Sequence, residues 1–237
     1  STDNLAFQGA LAAKTNSSIA LSGTHQYFLA ASSVELGGST SGAISLGAGT
    51  SLLPQTGATG MSITLGNTTQ LQGSKLIVGS GLDTILSFGA VSGSLGDLII
   101  NTTAQVATTA NWTTLSDLTI TNAGNFTSTS AISAKNLTIN DLQGTNTFQV
   151  QGALNLSGNL LANASANAYS VSLLGDATVT GNATFANTGT LTLGNTATDS
   201  YQFASGLTAT APSMVSLAGS ISTTNANLQL GLVTLLD

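Results

Sequence analysis

Residues 118–140 read LTITNAGNFTSTSAISAKNLTIN, and this stretch begins and ends on the same short pattern. In Leu118-Thr119-Ile120 and in Leu137-Thr138-Ile139, two aliphatic residues flank one polar residue. Because alternate side chains of a β-strand point to opposite faces, the aliphatic pair of each triplet would turn inward while the threonine faces solvent. The Asn, Gly and Ser residues between the triplets favour turns. The stretch therefore predicts short strands joined by tight corners.

The same kind of triplet recurs along the whole chain. Its members begin at Ile19, Val34, Ile44, Ile63, Leu76, Leu98, Leu118, Leu137, Leu154, Val171, Leu191, Val215 and Leu228. From Leu98 onward most intervals cluster near the length of one solenoid repeat, roughly 20 residues. We therefore predict an all-β fold, a parallel β-helix (β-solenoid) with rungs of about 20 residues. The inward pairs of successive rungs would stack into one aliphatic core.

The corners of this coil are predicted from its glycines. Gly158-Asn159, Gly181-Asn182 and Gly194-Asn195 punctuate the predicted strands, and both residue types tolerate positive φ. Short strands between turn residues also describe an antiparallel β-sandwich, which is the alternative fold. The regular spacing of the triplets favours the solenoid.

The triplets are regular from about residue 60 onward. We predict a β-solenoid stack at 61–237 and an amino-terminal cap or irregular β region at 1–60. Ser1 opens a polar stretch that lacks the features of a signal peptide, so we expect a mature or excised piece.

Charged residues make up only 5% of the 237 residues, and this excludes several kinds of partner. The basic residues are Lys14, Lys75 and Lys135, with no arginine, and the net charge is −6. A nucleic-acid groove or a polybasic membrane contact needs clustered cations, and these lysines are scattered. No apolar run approaches the roughly 20 residues of a membrane span, so we expect no membrane insertion. The chain also lacks cysteine, which together with few charges is typical of an exported bacterial protein.

Three segments carry a resemblance to a known family. The segments 118–140, VQGALNLSGNL at 150–160 and ATVTGNATFANTGTLTLGN at 177–195 resemble the repeat regions of large bacterial haemagglutinin-like adhesins, which two-partner or autotransporter routes export. The resemblance covers roughly residues 60–237 and lies in the strand-turn-strand style rather than in an ordered motif. It implies a right-handed parallel β-helix on the bacterial cell surface that serves attachment or forms a fibrous stalk. It transfers no functional residue.

Only one pair of carboxylates is a candidate for chemistry. Asp97 and Asp117 are separated by one predicted rung, and each directly precedes a triplet, so they would stack on one face in adjacent rungs. Two stacked carboxylates could bind a cation or serve as an acid/base pair, as in polysaccharide-cleaving β-helices. The alternative is that both cap a turn, which the turn positions of Asp141, Asp176 and Asp199 favour.

The remaining residues of interest have both a structural and a functional interpretation. His25 is the only histidine, and one histidine makes neither a zinc site nor a triad. Trp112 and the tyrosines could form a sugar-stacking surface, although packing of Trp112 against the coil is favoured. Nine Asn-x-Ser/Thr sequons are a small excess over what the abundance of these residues predicts. They begin at Asn16, Asn67, Asn101, Asn111, Asn125, Asn136, Asn155, Asn163 and Asn182.

The expected function is a structural or adhesive segment of an extracellular bacterial surface fibre, without catalysis or cofactor. A self-assembling subunit of an extracellular filament or sheath is the first alternative, and a carbohydrate-binding or carbohydrate-cleaving β-helix is the second. The expected partners are copies of the same chain stacked head to tail, adjoining segments of a longer chain, and host or surface glycans. The apolar stretch from Leu228 to Leu236 favours stacking, because an uncovered strand edge pairs readily with another chain.

Overall fold

The structure is a computed structural model, and its described residues form 30 strands, β1–β30, with no helix. Described are residues 5–7, 11–13, 19–21, 26–29, 33–36, 44–46, 51–54, 62–65, 69–70, 75–78, 85–92 and 96–236. Before residue 96, side chains are described only at Leu52 and at 88–91. No helix in these ranges is long and apolar enough to span a membrane.

The strands repeat in threes and build three faces of a coil. Face 1 contains β1 (Leu5–Phe7), β4 (Gln26–Leu29), β7 (Ser51–Pro54), β10 (Lys75–Val78), β13 (Asp97–Asn101), β20 (Leu160–Ala162), β23 (Ala183–Phe185), β26 (Leu207–Ala209) and β29 (Leu228–Leu230). Face 2 contains β2 (Leu11–Ala13), β5 (Ser33–Leu36), β8 (Ser62–Leu65), β11 (Ile85–Phe88), β14 (Val106–Thr108), β16 (Phe126–Ser128), β18 (Thr147–Val150), β21 (Ser170–Leu173), β24 (Thr190–Leu193), β27 (Met214–Leu217) and β30 (Val233–Leu235). Face 3 contains β3 (Ile19–Leu21), β6 (Ile44–Leu46), β9 (Thr69–Gln70), β12 (Val91–Ser92), β19 (Leu154–Leu156), β22 (Ala177–Val179), β25 (Ser200–Phe203) and β28 (Ser220–Thr223).

Two long strands, β15 (Trp112–Asn122) and β17 (Ile132–Ile139), run through both face 3 and face 1. They join these two faces into one 19-stranded sheet, whereas face 2 is a separate 11-stranded sheet. Every described strand pair is parallel, which excludes the antiparallel sandwich. The prediction of an all-β solenoid is therefore confirmed.

The register shows which of the predicted intervals are rungs. On face 1, Leu98 pairs with Leu118, Leu118 with Leu137, and Leu137 with Leu160, so each of these steps is one coil. A coil is about 22 residues long, slightly more than predicted. The shorter predicted intervals, from Leu137 to Leu154 and on to Val171, were wrong as rung lengths. Leu154 lies on face 3 and Val171 on face 2, so these steps lead from one face to another.

The inward side chains of the three faces fill one continuous core. The predicted pairs from Leu98 to Leu193 are buried, together with larger residues between them. An aromatic row crosses four coils: Phe88, Trp112, Phe126 and Phe148 have successive ring-centroid distances of 5.2, 5.7 and 4.5 Å. Burying apolar area of this kind is the main favourable contribution to folding.

Residues 1–60 were predicted to form a cap or irregular region. The strands described there pair in register with the same three faces, as in β4 with β7 and β5 with β8. A boundary at residue 60 and the right-handed coil stay predictions.

Candidate functional site

Asp97 and Asp117, the two predicted site residues, lie in adjacent coils at the corner that leads into face 1. The Oδ1 atom of Asp97 accepts a hydrogen bond of 3.2 Å from the backbone N–H of Asp117. The Oδ1 atom of Asp117 in turn accepts one of 2.7 Å from Nδ2 of Asn136. The predicted stacking is present, and both carboxylates receive hydrogen bonds from the next coil.

The same contact continues through the following coils. The Oδ1 atom of Asn136 accepts from the backbone N–H of Asn159 at 2.8 Å, and that of Asn159 accepts from the N–H of Asn182 at 2.9 Å. We call these residues the corner column: Asp97, Asp117, Asn136, Asn159 and Asn182. Each residue directly precedes the first inward side chain of face 1 in its coil, so its N–H and its side chain both lie at the corner. The column therefore links successive coils outside the regular strand ladder.

The corner column stops after Asn182. The equivalent residue of the next coil is Gly206, since Ala183 pairs with Leu207. The N–H of Gly206 donates instead to the carbonyl of Phe203 within its own turn at 3.0 Å, and its φ is +109°. Glycine adopts this backbone conformation without a steric penalty.

The corners that lead into the other two faces use the same contact. Before face 3, Oδ1 of Asn111 accepts from the N–H of Ala131 at 3.1 Å, and Oδ1 of Asp176 accepts from Ser200 at 2.9 Å. Before face 2, Oδ1 of Asn125 accepts from the N–H of Thr147 at 2.9 Å. Polar side chains thus satisfy backbone donors at all three corners of the described coil.

Two of the three predicted Gly-Asn corners have a different cause from the predicted positive φ. Gly158 and Gly181 are not among the described residues with positive φ, whereas Gly194 is, with φ +86°. A Cβ atom at Gly158 would overlap Oδ1 of Asn136, and one at Gly181 would overlap Oδ1 of Asn159. Glycine is needed there because the column side chain of the preceding coil occupies the space.

The corners also account for several sequons. Asn111, Asn125, Asn136 and Asn182 each hold a corner position, the next residue points into the core, and the Thr after it points outward. This order of corner amide, inward apolar residue and outward hydroxyl is an Asn-x-Thr sequon. The small excess of sequons therefore has a structural origin in these coils.

We predict that Asn159→Ala lowers the free energy of unfolding by about 1 kcal/mol, because the N–H of Asn182 loses its acceptor. Asn159→Asp keeps an acceptor oxygen and should lose less. Urea unfolding followed by circular dichroism measures the difference. Asn155→Ala, at an exposed outward position of β19, is the control and should change stability by less than about 0.5 kcal/mol. Equal losses for Asn159→Asp and Asn159→Ala would contradict the acceptor role.

Among the aromatic residues proposed for a sugar-stacking surface, the three whose side chains are described do not reach the surface. Trp112, Tyr169 and Tyr201 are fully buried, so that interpretation was wrong for these three and packing is confirmed. Trp112 lies in strand β15 with its side chain buried in the core, and its Nε1 donates to the carbonyl of Gly89 at 3.1 Å. The hydroxyl of Tyr201 donates to the carbonyl of Leu173 at 2.7 Å, and burial raises the pKa of this hydroxyl. His25 and the side chain of Tyr27 lie outside the described residues.

Asp199 closes a turn on the way to face 3. Its Oδ2 accepts from the backbone N–H groups of Asn195 and Thr196, both at 2.8 Å. Partial desolvation alone would raise the pKa of Asp199, but these hydrogen bonds to the ionised form outweigh it and hold the pKa below its usual value of 3.8.

We predict that the stabilisation from Asp199 is present above about pH 4 and is lost as the pH falls through the lowered pKa, because the unfolded chain takes up the proton first. A carboxyl-detected NMR titration should give Asp199 a lower pKa than a model peptide. Asp199→Asn should remove this part of the acid sensitivity. A pKa at or above 3.8 would contradict the turn's role.

The hydrogen bonds of Asp97 and Asp117 limit the chemistry that these two carboxylates can carry out. Among the described residues no group of three or more His, Asp or Glu side chains could hold a metal ion. At Asp117 the neighbour from the next coil is an amide N–H donor and adds no ligand oxygen. Metal binding or acid/base work by Asp97 and Asp117 stays a prediction of the sequence, and so does the expectation that the chain is not an enzyme.

A concave groove of about 490 Å³ lies beside the corner column, where face 3 bends into face 1. Its floor is formed by Leu115, Ala134 and Leu156. Its walls carry the outward side chains of three successive coils, namely Ser133, Lys135, Asn155, Ser157, Thr178 and Thr180. Nothing in the spacing of the aliphatic triplets indicated this groove, because it depends on which residues of different coils come together.

The stacked parallel coils define the class of the protein as a β-solenoid. Beyond this class, no family model matches the chain, and neither the curated proteins nor the solved structures contain a significant match.

Proposed function

We propose that the chain is a structural and adhesive segment of an extracellular bacterial surface fibre and catalyses no reaction. The observation that carries the proposal is the use of polar groups at the corners. The side chains that could do chemistry, Asp97, Asp117 and Asp176, accept hydrogen bonds from the next coil. The outward residues are mostly small, uncharged and repeated, which suits a long passive surface.

The sequence supports the same proposal. A chain with 5% charged residues and abundant Thr, Ser and Asn can present hydroxyl and amide groups along a rod. Solenoids have extended surfaces for binding, because each coil adds a further copy of the same face. The style of the repeats resembles haemagglutinin-like adhesins, and the extracellular location is part of this proposal.

Beads coated with the purified chain test the adhesive role. We expect them to attach to epithelial cells or to polysaccharide-coated plates more than albumin-coated beads do. Antibodies against the chain should label intact cells of the source organism. Attachment no greater than with albumin, or labelling only after lysis, would contradict the proposal.

Incubation with acidic and neutral polysaccharides tests the absence of catalysis. We expect no fall in viscosity and no new reducing or unsaturated ends. Depolymerisation that disappears in the double variant Asp97→Ala, Asp117→Ala would contradict the proposal and favour a carbohydrate-cleaving enzyme.

A self-assembling filament subunit is the second candidate, and exposed apolar side chains favour it. In the coil of β28–β30, Leu228 is 46% exposed and Leu235 is 74% exposed, whereas Leu207, which pairs with Leu228, is 1% exposed. Leu232, Val233 and Leu236 are also exposed in this coil. Of these residues, Leu228, Val233 and Leu235 are in register with Leu207, Val215 and Leu217 of the preceding coil, and an open strand edge pairs readily with another strand.

Electron microscopy of the purified chain tests this second candidate. The eleven strands of face 2 span about 50 Å, so fibres much longer than this would indicate head-to-tail stacking. The double variant Leu228→Asp, Leu235→Asp should then dissolve the fibres. Gln229→Asp, at an exposed outward position of the same coil, should leave them intact. Single short rods of the native chain at high concentration would exclude self-assembly.

A further inference from the structure

The groove beside the corner column brings side chains of three successive coils together. Leu115, Ala134 and Leu156 beneath it are almost fully buried, so a ligand would meet mainly the side chains of its walls, which end in hydroxyl, amide and ammonium groups. Ligand sites are concave surfaces where a few polar groups converge, and the volume of this groove, about 490 Å³, lies in their common range of about 300–1,000 Å³.

Charge in the groove is opposite to that of the chain. The chain has a net charge of −6, but the groove contains Lys135 and no acidic side chain. Lys135 is exposed and lies on β17, in the same row as Ser157 and Thr180. A ligand carboxylate would therefore find its partner at Lys135.

The polar walls match a ligand that has many hydroxyl groups. The side chains of Ser133, Asn155 and Thr178 stack on one side, because their strands pair in register. Ser157 and Thr180 lie on the other side. Hydroxyl and amide groups both donate and accept hydrogen bonds, and they repeat at the spacing of about 4.8 Å between parallel strands.

The strand pairing disfavours a peptide ligand. A bound peptide usually adds a strand to an open sheet edge. In the groove, β19 pairs with β17 on one side and with β22 on the other, so its backbone offers no open edge. Recognition must therefore use side chains.

From these observations we propose that the groove binds an acidic oligosaccharide, with Lys135 holding a sugar carboxylate and the wall side chains holding sugar hydroxyls. This inference rests on the proposed adhesive function and assigns it a site and a ligand class.

NMR titration of the purified chain with hexameric oligogalacturonate tests the inference. We expect shifts confined to 133–135, 155–157 and 178–180, and a weakening with added salt. Lys135→Gln should weaken binding about fivefold, as expected for an exposed ion pair. Lys75→Gln removes the same charge elsewhere and should leave binding unchanged.

Several results would overturn the groove site. The first is the absence of chemical-shift changes in the groove, and the second is a loss of affinity in Lys75→Gln as large as that in Lys135→Gln. The third is binding of neutral maltohexaose, or of a hexaglutamate peptide, as tight as that of oligogalacturonate. Bead attachment that persists in Lys135→Gln, without groove shifts in the native chain, would overturn this inference and leave the adhesive function standing. Chemical-shift changes in the groove without any bead attachment would support the groove site and overturn the adhesive function.

Discussion

Phe126→Ala is expected to destabilise the middle of the solenoid by about 3–5 kcal/mol, the usual loss for deleting a buried aromatic ring. Phe126 is fully buried on face 2 between Val106 and Phe148 of the neighbouring coils. Its ring stacks on Phe148 with centroids 4.5 Å apart and meets the edge of Trp112 at 5.7 Å. The substitution removes both contacts and leaves a cavity that three coils share.

Hydrogen exchange is the appropriate measurement, because a solenoid is stabilised by contacts between neighbouring coils and need not unfold as one unit. Amide exchange in β14, β16 and β18 should accelerate by at least about 100-fold, whereas exchange in β24 and β27 should change little. Phe126→Leu, which keeps most of the apolar volume, should lose less than about 1.5 kcal/mol. The same acceleration in every coil would show that the chain opens cooperatively and not locally.

The aliphatic triplets predict the fold well because each one reports a local strand. The inward and outward positions of Leu118-Thr119-Ile120 and of Leu191-Thr192-Leu193 follow from strand geometry alone. The spacing of the triplets favours stacked coils over a sandwich, and the parallel pairing of the strands excludes the sandwich. Both inferences from the triplets need no information about the rest of the chain.

The pairing of coils could not be predicted, because all three faces use the same triplet. The true partner of Leu137 is Leu160, whose strand ends on Ala162 and so lacks the large aliphatic pair. Ala162 is small since it lies between Ile139 and Phe185 of the adjacent coils. In the same way, Ala177 leaves room for Tyr201. Alternating large and small residues fill the core evenly, and this hides individual rungs from a search for aliphatic pairs.

The candidate site was predicted in part. Asp97 and Asp117 were identified as stacked turn residues, and the structure places them there. The extension of their column through Asn136, Asn159 and Asn182 was missed. The signal was present, since each of these residues directly precedes a buried residue of face 1. Recognising it required knowing that Asn159 and Asn182 precede rungs of the same face.

Gly189→Ala is also expected to destabilise the solenoid strongly, with a loss of about 3 kcal/mol. The backbone of Gly189 lies directly against the preceding coil, where its N–H donates to the carbonyl of Tyr169 at 3.2 Å. A Cβ atom at this position would overlap that carbonyl oxygen, which is backbone and cannot rotate away. Relief requires the two coils to separate, and this would disturb the buried ring of Tyr169 and the hydroxyl's hydrogen bond to Asn163, 2.6 Å long.

Gly144→Ala is the control that separates this steric overlap from the backbone strain that alanine causes at a position with positive φ. Gly144 has a φ of +57°, and a Cβ atom there would meet nothing within 4 Å, so only backbone strain of about 1–2 kcal/mol is expected. Urea unfolding of the two variants measures the difference, and hydrogen exchange locates it. Gly189→Ala should expose the amides of β21 and β24, whereas Gly144→Ala should affect only its own turn. If Gly144→Ala is the more damaging change, then the close packing of coils at Gly189 does not limit stability, and backbone conformation at the turns does.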